Sequence, residues 1–582
     1  MTGLNAWKPG FGQPGFGVTR NPATFHVLEM RFTLMIATTI ALAAILGGLL
    51  GGSVPAEAVA QQGTEEEAAL IRSFTDVLAC IEEESAVEKT SAELVEDAIR
   101  GMLRTLDPHS SFFSTEDFKR LQEEQKGKYY GLGITIRAES PGSGRVVIVE
   151  PPAPGTPAFK AGLRAGDVIA RIEGKPIDDW DLNTEVIPSL KGPKGTKVQI
   201  TVERPGVDTP LEVTVERDEI PLYSIKYAFH IAPGIGYIRI LRFGETTSEE
   251  LDRALEKLGE PQLRGLILDL RDNPGGALSQ ALAVADRFLD RGEKIVSTRS
   301  RNGKENRDYR ARREQQYHYP MVVLINENSA SASEIVSGAL QDHDRALIIG
   351  ETSFGKALVQ TIFPLENQRA LALTTGRYYT PSNRLIQRDY SEGFLDYYAH
   401  RGNNDNAQKE QPRHFTDGGR LVYGGGGITP DEIVKPDRAP VAVRKLQGRN
   451  LFRTYASEVY AGKTSSSLPV EISDANGVAD ERDMERLMDL VQVDAAILQD
   501  FRRYAAEQGV RINDEEWKAS ENIIANLLRQ ELLLLAVGDE ASYRVALQLD
   551  RQVQRALELI PQVNAILQSA ISQAKEESAS LH

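Results

Sequence analysis

The chain has 582 residues and a formal net charge of −16 at pH 7, which gives length enough for roughly three to five domains with cores of their own. The acidic balance lacks the basic footprint that nucleic acid demands of a main partner. A single cysteine, Cys80, excludes an intramolecular disulfide and a cysteine-rich metal centre. The eight histidines are scattered without an H-E-x-x-H pair, so neither a metal nor another cofactor is expected.

Residues 1–63 read as a Gly/Pro-rich disordered tail over residues 1–29, followed by a signal peptide or membrane anchor. From Phe32 to Ala56 there is no charge, and Leu, Ile, Ala and Gly dominate, with Lys8, Arg20 and Arg31 upstream. This is the pattern of a signal peptide or a single membrane anchor. Ala56-Glu57-Ala58 fits a small-x-small cleavage site, yet the length also permits a span, so both stay open. Either way the remainder is expected outside the cytoplasm. Residues 64–125 read as helical. Ala68, Leu70, Ile71, Phe74, Val77 and Leu78 fall on one face, and a second helix fits Ala92 to Leu106, stopping at Asp107-Pro108. Ser114 with Asp117 has the form of a helix start. His109 sits in a turn and is expected to be structural.

Residues 126–218 carry Gly131-Leu132-Gly133-Ile134, then Lys160-Ala161-Gly162-Leu163, Ala165-Gly166-Asp167-Val168-Ile169 and an alternating strand to Val202. In this order the segments resemble a PDZ domain. The first of them would capture a peptide's terminal carboxylate on backbone amides, while a strand edge pairs with the peptide main chain. The plainer reading is a small β-domain with only a packing role.

Residues 219–437 alternate strand and helix patterns: Gly236–Arg242, Leu251–Leu258, Gly265–Leu270, then Arg271-Asp272-Asn273-Pro274-Gly275-Gly276 into a helix over Ala277–Leu289. Repeated strand–helix–strand units imply an α/β core. Met321–Asn326 is a continuous apolar run, as in a buried strand, and Ile335, Val336, Ala339 and Leu340 recur at helical spacing after Ser329-Ala330-Ser331-Ala332-Ser333. The serines therefore stand at a strand-to-helix junction, where free N–H groups favour developing negative charge. A serine there could attack a carbonyl, or the small residues could merely cap the helix. Lys356 precedes a β-prone run. On a strand, residues 356, 358 and 360 share a face, so Gln360 can present its amide oxygen to the lysine amine. A buried lysine with a lowered pKa can serve as a base.

Two rival readings use the same stretch. Gly350 to Lys356 spells G-x-x-x-x-G-K, but Ala357 stands where a phosphate loop needs Ser or Thr, and LVQTIF is β-rich where a helix should follow. His343 lies between Asp342 and Asp344, but adjacent residues do not make a triad. Between Arg388 and Gly424 a polar stretch reads as an insertion, with Tyr390, Phe394, Tyr397 and Tyr398 available to border a cleft or pack locally. Residues 438–582 read as helical: Asp483–Ala506, a capped helix from Asn513 to Val537-Gly538, and Asp550–Ile560 ending at Pro561.

The ordered set SASASEI, GALQD, RALIIGE and FGKxxVQ resembles the C-terminal processing (tail-specific) serine peptidases, as do DLRxNPGG and GMLRTLDPHSSFF. The resemblance implies Ser331 as nucleophile, Lys356 as general base and Gln360 as the residue that orients it. It implies an oxyanion hole from Ala332 and either Gly275 or Gly276. It also implies a multidomain α/β protein whose Clp-protease/crotonase-like core carries an inserted PDZ domain, with helical N- and C-terminal regions. The expected partners are protein substrates with apolar C-terminal tails, an adaptor protein, the membrane through the N-terminal segment, and further copies of the chain. The helical C-terminal region would serve self-association, helper binding or capping of the core.

Overall fold

The computed structural model describes residues 65–138, 145–204, 206–315, 317–391, 397–398, 411–464 and 481–580. The uncharged segment Phe32–Ala56, the cleavage site beside it and Phe394 lie outside them. Among the described residues no helix is long and apolar enough to cross a membrane.

The chain divides into two units, residues 1–95 and 96–582. The first contains the helix Glu65–Glu84, which has the expected apolar face, but no side chain of this helix is buried. Leu70, Ile71, Phe74 and Val77 are all exposed.

The larger unit is organised around a six-stranded sheet. Its order is Ile225–Ala232, Ile235–Ile240, Gly265–Asp269, Met321–Ile325, Leu347–Gly350 and Glu432–Ile433. The first pair is antiparallel and every later pair parallel. Parallel strands are covered on both faces, which is why their sequences read as unbroken apolar runs. The period of two still sorts the side chains. Ile238, Leu266, Leu268, Met321, Val323 and Ile348 pack with the helices Thr247–Lys257, Leu278–Asp286 and Ala332–Asp342. Tyr237, Ile267, Val322, Leu324, Leu347 and Ile349 face the opposite way, onto Val553, Ala556, Leu559, Ile560, Val563 and Leu567.

The segment after residue 438 thus has two parts. Residues Ala442 to Val545 enclose a core of their own around Tyr455, Phe501, Trp517 and Leu528, while the helices Arg551–Leu559 and Val563–Ser580 supply the layer on the far face of the sheet. Pro561 does not end the helical run. It stands in a single tight turn, Ile560–Gln562, from which the next helix starts, a position that suits a residue without an N–H. The expected Asp483–Ala506 helix is two helices, Glu481–Leu490 and Ala495–Glu507, because the Asp494 carboxylate accepts the Ile497 N–H at 2.9 Å and caps a fresh start. Asn513 does cap its helix, through the Glu516 N–H at 2.8 Å.

Leu324 is fully buried between sheet and C-terminal helices. Leu324→Ala is expected to lower unfolding free energy by about 3 kcal/mol, as transfer and cavity terms add. Denaturant melts of the full chain check it.

A second sheet places Ala370–Tyr379 between Leu358–Pro364 and Lys294–Ser300, and Ser111–Phe113 pairs onto its Ala370 end. The PDZ-like segment forms a sheet in the order Ile136–Ala138, Val146–Ile148, Val168–Ile172, Lys197–Glu203, Leu211–Glu216 over a core that includes Leu132, Ile148, Ile169, Val186 and Val202.

Candidate active site

Ser331 follows the turn out of Met321–Ile325 and caps the helix Ala332–Asp342 with φ 55° and ψ −111°. A residue with a Cβ held at positive φ costs on the order of 1–3 kcal/mol unless its surroundings fix it. Here they do. The Ser331 N–H donates to Glu334 Oε2 at 2.8 Å. The Ala330 N–H donates to the Asn273 carbonyl at 3.0 Å, and the Ser333 hydroxyl to the same oxygen at 2.9 Å. The serine turn and the glycine turn are therefore stitched together.

At Gly275 (φ 98°) a Cβ would lie 2.8 Å from Ser331 Cβ and 2.9 Å from the Ala332 nitrogen. At Gly276 (φ 146°) it would lie 2.3 Å from the Phe243 carbonyl oxygen. Both positions require glycine on two counts. The pair divides in its hydrogen bonding. The Gly275 N–H is taken by Asn273 Oδ1 at 2.9 Å, whereas the Gly276 and Ala332 N–H groups donate to no other group among the described residues. Gly275→Ala is expected to abolish measurable peptidase activity, because the added methyl displaces the Ser331 side chain. An activity assay on the folded variant, verified by circular dichroism, checks it.

Lys356 Nζ donates to Gln360 Oε1 at 2.8 Å, and Gln360 Nε2 donates to the His109 carbonyl at 2.6 Å. The amine therefore faces an amide oxygen rather than a carboxylate. Burial holds its pKa below the ordinary lysine range, against the more distant Glu334 and Asp107. The strand offset between Val359 and Gln360 interrupts strict alternation, and the lysine–glutamine contact forms across it.

Four contributors were not assigned these roles on sequence grounds. Glu334 is fully buried and accepts from Ser331 N–H, Gly355 N–H at 2.7 Å, Lys356 N–H at 2.9 Å and Ser353 Oγ at 2.5 Å. One carboxyl group thus ties the backbone of residue 331 to that of residue 356. Burial pushes it up to about 7, although the four donors pull the other way. Ser331-x-x-Glu334 is the spacing of a capping box, a signal available in the sequence. Tyr378 adds a second tie, its hydroxyl lying 2.5 Å from the Lys356 carbonyl and 3.2 Å from that of Ser331. His109 carries more than a turn. Its carbonyl orients Gln360, its ring meets the Tyr397 hydroxyl at 2.8 Å, and burial, aided by the Lys356 charge, pushes it down to about 4. Asp107 braces that turn by accepting from the His109 and Ser110 N–H groups, both at 2.8 Å.

A cavity of about 800 Å³ is lined by Ser331, Ala332, Lys356, Gln360, Gly275 and Gly276, with apolar walls from Leu241, Phe243, Ile335, Leu358 and Ile362. The Gly131–Ile134 segment lies outside it, running from the end of the strand Lys128–Gly131, which pairs with Asp218–Pro221, toward the PDZ-like sheet; a Cβ on Gly133 (φ 80°) would meet Thr156 Cβ at 2.8 Å.

The rival readings fail on geometry. A strand, Leu358–Pro364, follows Lys356 where a phosphate loop needs a helix. His343 caps the far end of its helix, with Nδ1 2.6 Å from Asp417 Oδ2 and Nε2 2.7 Å from the Lys294 carbonyl, and does not line the cavity. Glu293, His343 and Asp417 are the residues, among those described, close enough together to hold a cation, and they too lie off the cavity.

Residues 131–215 match the PDZ domain family and residues 234–393 match peptidase family S41. These are the parts of a PDZ-bearing serine-type peptidase. A carboxy-terminal-processing protease of Bartonella bacilliformis is 42% identical over 339 residues, covering 57% of this chain and 76% of that protein. The carboxy-terminal processing protease CtpA of Bacillus subtilis is 32% identical over 362 residues, covering 62% and 75%. Among solved structures, a photosystem II D1 C-terminal processing protease aligns over 63% of this chain and 93% of its own at 26% identity, with a TM-score of 0.33. The chain belongs to peptidase family S41, among its carboxy-terminal processing proteases.

Proposed function

We propose that this protein is a cell-envelope endopeptidase that selects substrates by their C-terminal tails and cleaves by a Ser-Lys mechanism. The observation that carries the reading is the Lys356–Gln360 hydrogen bond of 2.8 Å in the same cavity as Ser331. A neutral amine, desolvated and aimed by an amide, accepts the Ser331 hydroxyl proton as Oγ attacks the scissile carbonyl. The oxyanion forms beside the Ala332 and Gly276 N–H groups, which donate to no other group among the described residues. The C–N bond then breaks as Nζ returns the proton to the leaving amine. Water hydrolyses the acyl ester by the same path. Tail capture falls to Gly131–Ile134 and the neighbouring strand Ile136–Ala138, which pairs on one side only among the described residues. The uncharged Phe32–Ala56 stretch supports export to the envelope or attachment to its membrane.

The test is a reporter protein carrying apolar or charged C-terminal tails, incubated with the wild type and with Ser331→Ala. The reading expects apolar tails alone to be cleaved, by the wild type alone. Cleavage by Ser331→Ala, or equal cleavage of every tail, would refute it.

A further inference from the structure

Arg271 begins the turn that ends in Gly275-Gly276, yet it does not line the cavity, and the proposed chemistry gives it no part. Its side chain is only 10% exposed. Nε lies 3.0 Å from both Asp269 oxygens, and Nη2 donates to Asp269 Oδ2 at 2.6 Å. Asp269 is itself fully buried and accepts the Tyr237 hydroxyl at 2.6 Å. The remaining arm reaches the far end of the chain, with Nη1 donating to Asp550 Oδ2 at 2.7 Å and to Gln552 Oε1 at 2.8 Å. Asp550 also caps the helix Arg551–Leu559, through the Gln552 and Val553 N–H groups at 3.0 and 3.1 Å. Gln552 is anchored in turn, its Nε2 donating to the Val434 carbonyl at 2.6 Å. Both residues lie beyond residue 393, where the peptidase-family match ends.

The turn between Arg271 and Gly276 has little slack. Asn273 is fully buried, its Nδ2 donates to the Ile240 carbonyl at 2.8 Å, and its Oδ1 holds the Gly275 N–H. The backbone entering at Arg271 therefore sets where the Gly276 N–H aims. We infer that Asp550, supported by Gln552, is a positioning residue for the oxyanion turn, so that a helix from outside the peptidase-family segment completes the active site. The inference rests on the reading that the Gly276 N–H receives the oxyanion. A buried guanidinium that loses one of its two carboxylate acceptors shifts toward the acceptors that remain, and small displacements of reacting groups are costly in rate.

The experiment uses the full chain with Asp550→Ala and Asp550→Asn, the latter keeping the helix cap while removing the charge. Three quantities are read: kcat and KM on a tail-bearing reporter, thermal midpoint, and affinity for a peptide boronic acid whose adduct on Ser331 mimics the tetrahedral intermediate. Asp550→Ala is expected to lower kcat about 10- to 100-fold with KM within about twofold, boronate affinity falling in parallel. Asp550→Asn is expected to fall between it and the wild type, and decides the matter alone if the alanine variant does not fold. Unchanged kcat and boronate affinity with only a lower thermal midpoint would overturn the inference. Failure of the wild type to bind the boronate would overturn the oxyanion reading and this inference with it, a result distinct from normal wild-type binding that Asp550 variants leave intact.

Discussion

Ser331→Ala is expected to lower kcat by at least about 10³-fold while leaving tail binding unchanged. The Ser331 side chain lines the same cavity as the glycine turn and Lys356, on a residue whose backbone is fixed by Glu334 and Tyr378. Alanine at φ 55° is strained much as serine is, so the fold and the turn should survive the substitution. On the proposed reading tail affinity resides in the separate PDZ domain, so binding of a labelled apolar peptide, measured by fluorescence anisotropy, should stay within about twofold of wild type. His343→Ala is the informative contrast. That ring serves Asp417 and the Lys294 carbonyl away from the cavity, so its loss should reduce stability and spare kcat. A variant at 343 that is inactive but folded would restore the triad reading.

Lys356→Met is expected to remove activity to a similar depth and, unlike Ser331→Ala, to raise the thermal midpoint at neutral pH. The sign follows from linkage. A lysine in the unfolded chain titrates near about 10.4, and burial depresses the folded value. The native state therefore favours the neutral amine. That contribution is complete above the unfolded pKa and is lost as pH falls through the folded pKa. At neutral pH the buried amine is a burden that methionine, of similar length and apolar, removes. Catalysis has the same dependence, with rate rising with pH as Lys356 loses its proton. Glu334 runs the other way. Its carboxyl, raised by burial from 4.5 to about 7, contributes stability at low pH that is lost as pH rises through about 7. Melting curves of wild type and Lys356→Met between pH 6 and 9, at about one-unit steps, separate the two because only the lysine component disappears in the variant.

The parts of the site legible in sequence are the local ones. Lys356 and Gln360 stand close along a single stretch of chain, and the nucleophile stands at a strand-to-helix junction that an apolar run and a helical period bracket. Glu334 carried a readable spacing from Ser331, although a capping box announces a helix start and not that its carboxylate also gathers the N–H groups of Gly355 and Lys356. Tyr378 and His109 left no such trace. Their bonds to the carbonyls of 331 and 356 and to Gln360 depend on how the second sheet sets Leu358–Pro364 and Ser111–Phe113 on opposite edges of Ala370–Tyr379. The same limit applies to the fold. Apolar runs such as MVVLI identify strands buried on both faces but not what covers each face. The amphipathic pattern of Arg551–Leu559 shows which side is apolar, yet only the tertiary structure seats Val553, Ala556 and Leu559 on Ile267, Val322 and Leu324. The Asp483–Ala506 pattern spans two helices because the break after Leu490 and the fresh cap at Asp494 leave no glycine or proline in the sequence to mark them.

The proposed base is a lysine amine kept neutral by desolvation and aimed by Gln360. Its most direct measurement is the titration of Lys356 Nζ, followed by heteronuclear NMR of ¹³C-labelled lysine in Ser331→Ala, with Lys356→Met assigning the resonance. The expected midpoint lies clearly below that of the other lysines and moves upon Gln360→Ala. A midpoint near ten, indifferent to residue 360, would contradict the mechanism.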